Sequence, residues 1–235
     1  MSKKRLLEAV RRLDLAAVRA LLDEQPALLH AKDKDLNLLH IACSVSWRGL
    51  GVPASRSVRL VTLLLDRGLD VESTLALPDC RVNSVWFASA RAQNPELVKF
   101  LVKRGATPSG LFAAGWGEDI ARLRLLLRLG ADIDECVSDE TPFLHCWKAG
   151  RFKSAEFLLG AGANVNFQDS RGKTALHYAL EKAYEPTKVR LLMRHGASPD
   201  LVDDKGVSAT QKASRKRNQA YRAALLQPRP HRIPD

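Results

Sequence analysis

The stretch GKTALHYA at residues 172–179 decides the fold. It follows the pattern G-x-T-P-L-H-x-A, with Ala175 in the place of the proline. An apolar segment that contains Leu191 and Leu192 comes next, and it runs into the turn sequence HGASPD at 195–200. A motif of this kind is a reason to search the whole chain for internal repeats before other features are interpreted.

Further copies of the motif occur along the chain at nearly regular intervals. They are NLLHIA at 37–42, TPFLHC at 141–146, the weaker NSVWFA at 83–88 and SGLFAA at 109–114, and the terminal KRLLEA at 4–9 and SATQKA at 208–213. Each copy ends on a small residue, namely Ala9, Ala42, Ala88, Ala114, Cys146, Ala179 or Ala213. The spacings of these residues are 33, 46, 26, 32, 33 and 34, so four of the six lie within one residue of a period of about 33.

A glycine closes the second half of five repeats. Each of these glycines follows an apolar helical stretch, and they are Gly68, Gly105, Gly130, Gly162 and Gly196. Helices often end through a left-handed residue, a conformation that glycine adopts without steric cost. Each repeat is therefore predicted to hold a helix, a short turn, a second helix and an extended hairpin. One such repeat cannot bury its own apolar face, so the repeats must stack.

The chain resembles the ankyrin-repeat family over about residues 3–226, on the strength of the motif copies and the five glycines. The resemblance implies an all-α fold with short β-hairpin loops, an α-solenoid of about seven helix-turn-helix repeats in one domain, residues 1–226. The repeats are predicted at about 3–35, 36–81, 82–107, 108–138, 139–171, 172–205 and 206–226. Residues 227–235 contain three prolines and are predicted to form a loose C-terminal tail.

The second repeat is longer than the others. It gains about nine residues between its helices, as a loop at 45–56 that contains Trp47 and Leu50. Insertions in repeat arrays lie on loops and often on a functional side. The alternative is that these two apolar side chains cover the flank of a neighbouring repeat.

The fourth repeat is shorter than the others. Gly105 and Ala114 are only nine residues apart, so this repeat is predicted to lack almost all of its hairpin. Its inner helix is predicted to be short or irregular because it is surrounded by Gly110, Gly115 and Gly117. Trp116 either fills the space of the missing hairpin or is exposed for binding.

Positive charge is concentrated at the two ends of the chain. The protein has 37 basic and 26 acidic residues, a formal net charge of +11. Residues 13–204 contain 24 basic and 24 acidic residues, so the body is neutral. A protein that binds nucleic acid along its body should be basic along its body. The polar outer faces that terminal repeats require explain much of the remaining charge.

No catalytic or metal-binding pattern is present in the sequence. There is no phosphate-binding glycine loop and no H-E-x-x-H. The four cysteines lie far apart without a C-x-x-C pair, a spacing that gives no zinc site and favours reduced thiols over a disulfide framework. By resemblance, His40 and His177 have structural roles in tying neighbouring repeats together. We therefore expect a non-enzymatic protein without a cofactor. The chain shows no signal peptide or membrane-inserting segment, so we expect it to be cytoplasmic and monomeric.

The resemblance implies a scaffold that binds a protein partner through its concave face, made of hairpin tips and inner helices. Trp86 and Trp147 adjoin buried positions and are predicted to be core residues. Exposed Trp and Arg side chains often anchor interfaces. The candidate partner-binding residues are Arg11, Arg12, Trp47, Arg91, Trp116, Lys148, Glu181 and Lys182.

The alternative function is binding of polyanions, either nucleic acid or an acidic membrane surface, through the basic terminal segments. Nucleic acid as a partner is possible on this hypothesis but is not favoured, because the body of the chain is neutral. Binding of this kind would weaken steeply with salt. The candidate residues are Lys212, Arg215, Lys216, Arg217 and Arg222.

Overall fold

The computed structural model describes residues 2–77, 81–215 and 219–226. Their structure is mostly helical, with fourteen α-helices and two short hairpins. The chain divides into two compact units. The N-terminal unit comprises residues 1–114 and 121–132, and the C-terminal unit comprises residues 115–120 and 133–235.

The N-terminal unit is a double row of helices. In chain order its elements are α1 (Ser2–Arg11), α2 (Leu15–Glu24), a 3₁₀ turn (Pro26–His30), β1 (Lys32–Asp33), β2 (Leu36–Asn37), α3 (Leu38–Ser44), α4 (Ser55–Asp66), β3 (Thr74–Ala76), β4 (Arg81–Asn83), α5 (Ser84–Trp86) with its π-helical continuation (Phe87–Arg91), α6 (Pro95–Lys103), α7 (Leu111–Trp116) and α8 (Ile120–Arg128). The last two residues of α7 and the first residue of α8 belong to the C-terminal unit. Helices α1, α3 and α5 pack in succession as an inner row, and α2, α4 and α6 pack as an outer row.

The C-terminal unit repeats this arrangement. Its helices are α9 (Pro142–Lys148), α10 (Phe152–Gly160), α11 (Ala175–Glu181), α12 (Pro186–Arg194), α13 (Ala209–Arg215) and α14 (Gln219–Leu225). Helices α9, α11 and α13 form the inner row, while α10 packs on α9, α12 on α11 and α14 on both α12 and α13. No helix among the described residues is both long enough and apolar enough to cross a bilayer.

Polar residues of the motif start the inner helices. Asn37 Oδ1 accepts a hydrogen bond from the His40 backbone N–H at 2.8 Å, at the start of α3. Asn83 caps α5 in the same way, and Thr141 caps α9. Such side chains satisfy backbone donors that have no partner inside the helix. The motif therefore sets where each inner helix begins.

The five glycines after the second helices all have left-handed backbone conformations. Their φ angles are 103°, 99°, 91°, 98° and 83° in chain order. A Cβ added at any of them would meet no atom within 4 Å. Glycine is thus required by the backbone angle and not by lack of space. This confirms the prediction from the sequence.

The hairpins differ between repeats as the spacing predicts. Strands β1 and β2 pair antiparallel, as do β3 and β4. The connection at 104–110 contains no strand, and α7 after it has only six residues. The side chain of Cys146 packs closely against Gly115 in α7. A Cβ at this position would lie 2.5 Å from Cys146 Sγ, so no larger residue fits without a shift.

The four tryptophans occupy different environments. Trp147 is fully buried, as predicted, and its indole Nε1–H donates to the Ala175 carbonyl at 3.0 Å. Trp86 is only half-buried, because its ring lies at the edge of the core with the Arg91 guanidinium 5.9 Å from its centre. In the loop at 45–54, Trp47 is half-buried. Trp116 is 53% exposed and therefore does not fill a space in the core.

Candidate functional site

The two motif histidines connect consecutive repeats. His177 Nε2–H donates to the Val207 carbonyl at 3.0 Å, while its Nδ1 accepts from the Thr174 backbone N–H at 3.1 Å. His40 Nε2 lies 2.9 Å from the Ser73 carbonyl, in the next hairpin. Both rings are buried. These contacts are the structural ones that the resemblance implies.

Burial of the motif histidines predicts a loss of stability in mild acid. Desolvation is the main cause that lowers the pKa of both His40 and His177 from 6.5. The unfolded chain therefore binds more protons than the native protein just below pH 6.5, so stability is full above that pH and falls below it. We expect the free energy of unfolding in urea to be smaller at pH 5.5 than at pH 7.5. The decrease should not exceed about 1.4 kcal/mol per pH unit for each histidine.

Carboxylates do not obscure this effect. Glu140 and Asp203 have lowered pKa values, so both lose their contributions only at more acidic pH. The His40→Gln variant should show a smaller decrease between pH 7.5 and 5.5 than the unmodified protein. Equal decreases in the two proteins would contradict the assignment.

An exposed aromatic cluster lies on the C-terminal unit. We call it the Trp116 surface, and it consists of Trp116, His145 and Arg151. The Arg151 guanidinium carbon lies 4.8 Å from the centre of the Trp116 ring, and the His145 ring lies 5.7 Å away. A cation over an indole face is attracted by the ring quadrupole. The half-exposed indole thus lies beside two polar side chains.

Glu140 fixes the side chains beside this surface. Its Oε2 accepts a hydrogen bond from His145 Nδ1–H at 2.8 Å, and its other oxygen pairs with the Lys148 ammonium. The hydrogen bond from His145 is the main cause that lowers the Glu140 pKa to about 2, and Lys148 adds to it. The orientation of the His145 ring beside Trp116 is therefore fixed by Glu140, a residue of the same repeat.

Lys148 is the first residue of a series of polar contacts that links the inner helices, which we call the ladder. Its ammonium lies 4.8 Å from the centre of the Tyr178 ring. The Tyr178 hydroxyl donates to the buried Asp169 carboxylate and accepts from Arg171 at 3.0 Å. Desolvation, followed by the bond to Asp169, raises the Tyr178 pKa to about 12. The phenol therefore remains neutral at physiological pH.

The ladder ends at the last repeat. Glu181 pairs with Lys173 at 2.9 Å and with Lys212 at 2.5 Å. Lys212 also pairs with the buried Asp203 at 2.9 Å, and its side chain is only 17% exposed. The neighbouring Lys182 donates to the Lys148 carbonyl at 2.5 Å. Lys148, Glu181 and Lys182 thus belong to one network of polar contacts in the C-terminal unit.

The other candidates lie in the N-terminal unit. Arg11 pairs with Asp33, and Arg12 pairs with Glu8 at 2.8 Å. Arg91 is exposed beside Trp86, and Trp47 carries the Arg48 guanidinium 4.9 Å from its ring centre. The candidate residues are therefore distributed between the two units.

The basic C-terminal candidates have different environments. Lys212 is held by the two carboxylates described above. Arg215 is exposed, and Arg222 donates to the Ser214 carbonyl at 2.7 Å. Lys216 and Arg217 lie outside the described residues, as does the predicted tail at 227–235.

The two buried cysteines Cys43 and Cys146 have unreactive thiols. Burial raises the pKa of Cys146 to about 12 and also raises that of Cys43, so both thiols remain protonated and are poor nucleophiles. Within the described ranges, no group of three or more His, Cys, Asp or Glu side chains could hold a metal ion.

Comparisons with known proteins agree with this architecture. The family model for ankyrin repeats, in three copies, matches residues 148–232. A Saccharomyces cerevisiae protein named as a probable 26S proteasome regulatory subunit, p28, is 27% identical over 221 residues, which cover 89% of this chain and 92% of that protein. The ankyrin repeat protein L92 of Acanthamoeba polyphaga mimivirus is 50% identical over 54 residues, 23% of this chain. This chain spans only 13% of the length of L92.

Solved structures show the same fold. The ankyrin repeat domain of Bcl-3 superposes with a TM-score of 0.72 at 23% identity, covering 95% of this chain and 98% of that domain. An ankyrin repeat domain from Acinetobacter baumannii has a TM-score of 0.58 at 25% identity, covering 80% of this chain and 95% of that domain.

Ankyrin repeats are generally protein–protein interaction modules, and proteins of this family are generally non-catalytic binding or regulatory proteins. The motif copies, the helix rows of each unit and the similar sequences and structures lead to one conclusion. This chain has the fold of an ankyrin-repeat domain, and its residues 148–232 match the ankyrin-repeat family model.

Proposed function

We propose that this protein is a non-enzymatic scaffold that binds a protein partner through the inner-helix and hairpin face of its repeats, with Trp116 as an anchor. The exposure of Trp116 beside Arg151 and His145 carries the proposal. Tryptophan and arginine are the side chains most often found at interface hot spots. The ladder of ion pairs next to Trp116 holds its surroundings in place, which reduces the entropy lost on binding.

The yeast relative supports a role in a protein assembly. That protein has nearly the same length and is named as a probable regulatory subunit of the 26S proteasome. A partner of comparable kind would meet the Trp116 surface as a protein segment with an apolar side chain and an acidic group. The apolar side chain would cover the indole, and the acidic group would pair with Arg151.

Replacing Trp116 with alanine is expected to weaken partner binding by about 2 kcal/mol or more, about 30-fold, as is usual for an interface hot spot. Partners would be isolated from the native host by affinity purification and identified by mass spectrometry, and their affinities would then be measured by calorimetry. Trp47→Ala is measured alongside it, because it removes another candidate tryptophan that has an arginine over its ring and so tests the loop at 45–56 separately. Unchanged affinity of every identified partner for Trp116→Ala would reject the proposed site.

Retention on immobilised DNA tests the polyanion hypothesis. The Arg215→Gln/Arg222→Gln variant removes two exposed cations from the last repeat. If nucleic acid binding is the function, retention on immobilised DNA should fall steeply with salt and should weaken in this variant. Retention that is weak and insensitive to the variant would reject the hypothesis.

A further inference from the structure

A groove with three arginines lies between α2 and α4 of the N-terminal unit. It has a volume of about 530 Å³. Arg19 from α2 and Arg56 and Arg59 from α4 line it, together with Asp14 and Asp23. These residues belong to the outer helices of the first two repeats. The groove therefore does not include any residue of the Trp116 surface and stands apart from the proposed function.

Positive charge in the groove is not balanced by its own carboxylates. Asp14 accepts a hydrogen bond from the Ala17 backbone N–H at 3.0 Å, and Asp23 pairs with Arg67 at 2.5 Å. The three groove arginines are exposed, and none of them forms an ion pair with an acidic residue in the part of the chain that the structure describes. With three guanidinium groups against two carboxylates, the groove has a net positive charge.

The start of α4 adds to this positive potential. Arg56 and Arg59 are the second and fifth residues of a twelve-residue helix, which has no acidic residue in its first turn and no side-chain cap. Helix N-termini carry a partial positive charge and favour acidic residues. Arginines at this end are unfavourable in the free protein and become favourable when an anion binds. Local departures of this kind are expected at functional sites.

We propose that this groove binds a phosphorylated side chain on a peptide segment of a partner protein. A phosphate ester carries a charge of about −1.5 to −2 and three acceptor oxygens, which matches several guanidinium forks better than a single carboxylate does. Clusters of arginines recognise phosphorylated motifs in this way. A volume of about 530 Å³ lies within the usual range for ligand pockets, roughly 300–1,000 Å³, and leaves room for flanking residues.

The two aspartates of the groove select against a polyanion. A nucleic acid or an anionic membrane would bring several negative charges to the surface, and some of them would lie near Asp14 or Asp23. A peptide with one phosphate can present its single dianionic group to the arginines and neutral or basic residues to the aspartates. The charge pattern therefore favours a phosphopeptide.

The test uses the full-length protein and three peptide libraries of seven residues. The central residue is phosphoserine, serine or glutamate, and the other positions are randomised without cysteine. We expect selective retention of phosphoserine peptides, and the best of them should bind at least tenfold more weakly to Arg56→Gln/Arg59→Gln. The control variant is Arg190→Gln/Arg194→Gln, which removes the same charge from outer helix α12 and should bind normally.

Several results would overturn the proposal. They are equal retention of the serine library, equal or better retention of the glutamate library, no retention of any phosphopeptide, and equal weakening in the control variant. Tighter binding of a 20-nucleotide oligothymidine, lost in Arg56→Gln/Arg59→Gln, would reassign the groove to nucleic acid. If the double variant fails to fold, as judged by circular dichroism, Arg19→Gln in α2 provides the same test, with the same tenfold loss expected.

Discussion

Replacing Trp147 with alanine is expected to lower the free energy of unfolding by about 3–5 kcal/mol. The indole is fully buried, and its ring centre lies 5.4 Å from that of Phe152 and 5.9 Å from that of Tyr184. Alanine would leave a cavity among these rings and remove the donor to the Ala175 carbonyl. Urea denaturation followed by circular dichroism measures the change.

The exposed tryptophan of the same unit provides the control. Trp116→Ala removes an equally large side chain from a position that is 53% exposed. Because little buried surface is lost, we expect its effect on stability to stay below about 1 kcal/mol. Similar losses for Trp147→Ala and Trp116→Ala would show that the two residues are packed alike and would contradict the structure.

Replacing His177 with alanine is expected to lower the free energy of unfolding by about 2–4 kcal/mol. The change removes the acceptor for the Thr174 N–H and the donor for the Val207 carbonyl. Each buried polar group that loses its partner costs about 1–3 kcal/mol. The hydrogen bond to Val207 joins two consecutive repeats, so its removal should also lower the cooperativity of unfolding.

A second histidine in the same repeat distinguishes this role from a general effect of the substitution. His195 follows α12 and is exposed. His195→Ala should change stability by no more than about 0.5 kcal/mol. A loss below 1 kcal/mol for His177→Ala would mean that the two hydrogen bonds do not join the repeats as described.

Local features of the fold were predictable from the sequence because their causes are local. A threonine or asparagine before an apolar run predicts a helix start, and Asn37 and Thr141 act in that way. A glycine after an apolar helix predicts a left-handed corner, and Gly162 has a φ of 98°. The nine-residue interval before Ala114 predicted the missing hairpin because an extended turn needs more chain.

Contacts between repeats were not predictable, because they depend on how the helices stack. The proximity of Lys148 to Tyr178 joins residues that are thirty positions apart. The π-helical turn at Phe87–Arg91 changes the direction of the side chains that follow it, so counting from Ala88 does not locate Arg91. Trp86 was expected in the core because it adjoins buried positions, and it lies at the edge of the core.

The arginine groove illustrates the same limit. Its members come from the outer helices of two repeats, while the sequence motif marks only inner helices and hairpins. One signal was available in the sequence, namely arginines where a helix N-terminus usually carries acidic residues. These arginines can be recognised as lying at a helix N-terminus only when the first residue of α4 is known.

The helix rows of each unit have a consequence for how the protein forms. Every row joins helices from consecutive repeats, so native contacts close over short lengths of chain. Topologies of this kind fold quickly because little loop entropy is lost before contacts form. During synthesis, each helix pair can dock on the one before it as soon as it leaves the ribosome, without waiting for the distant end of the polypeptide.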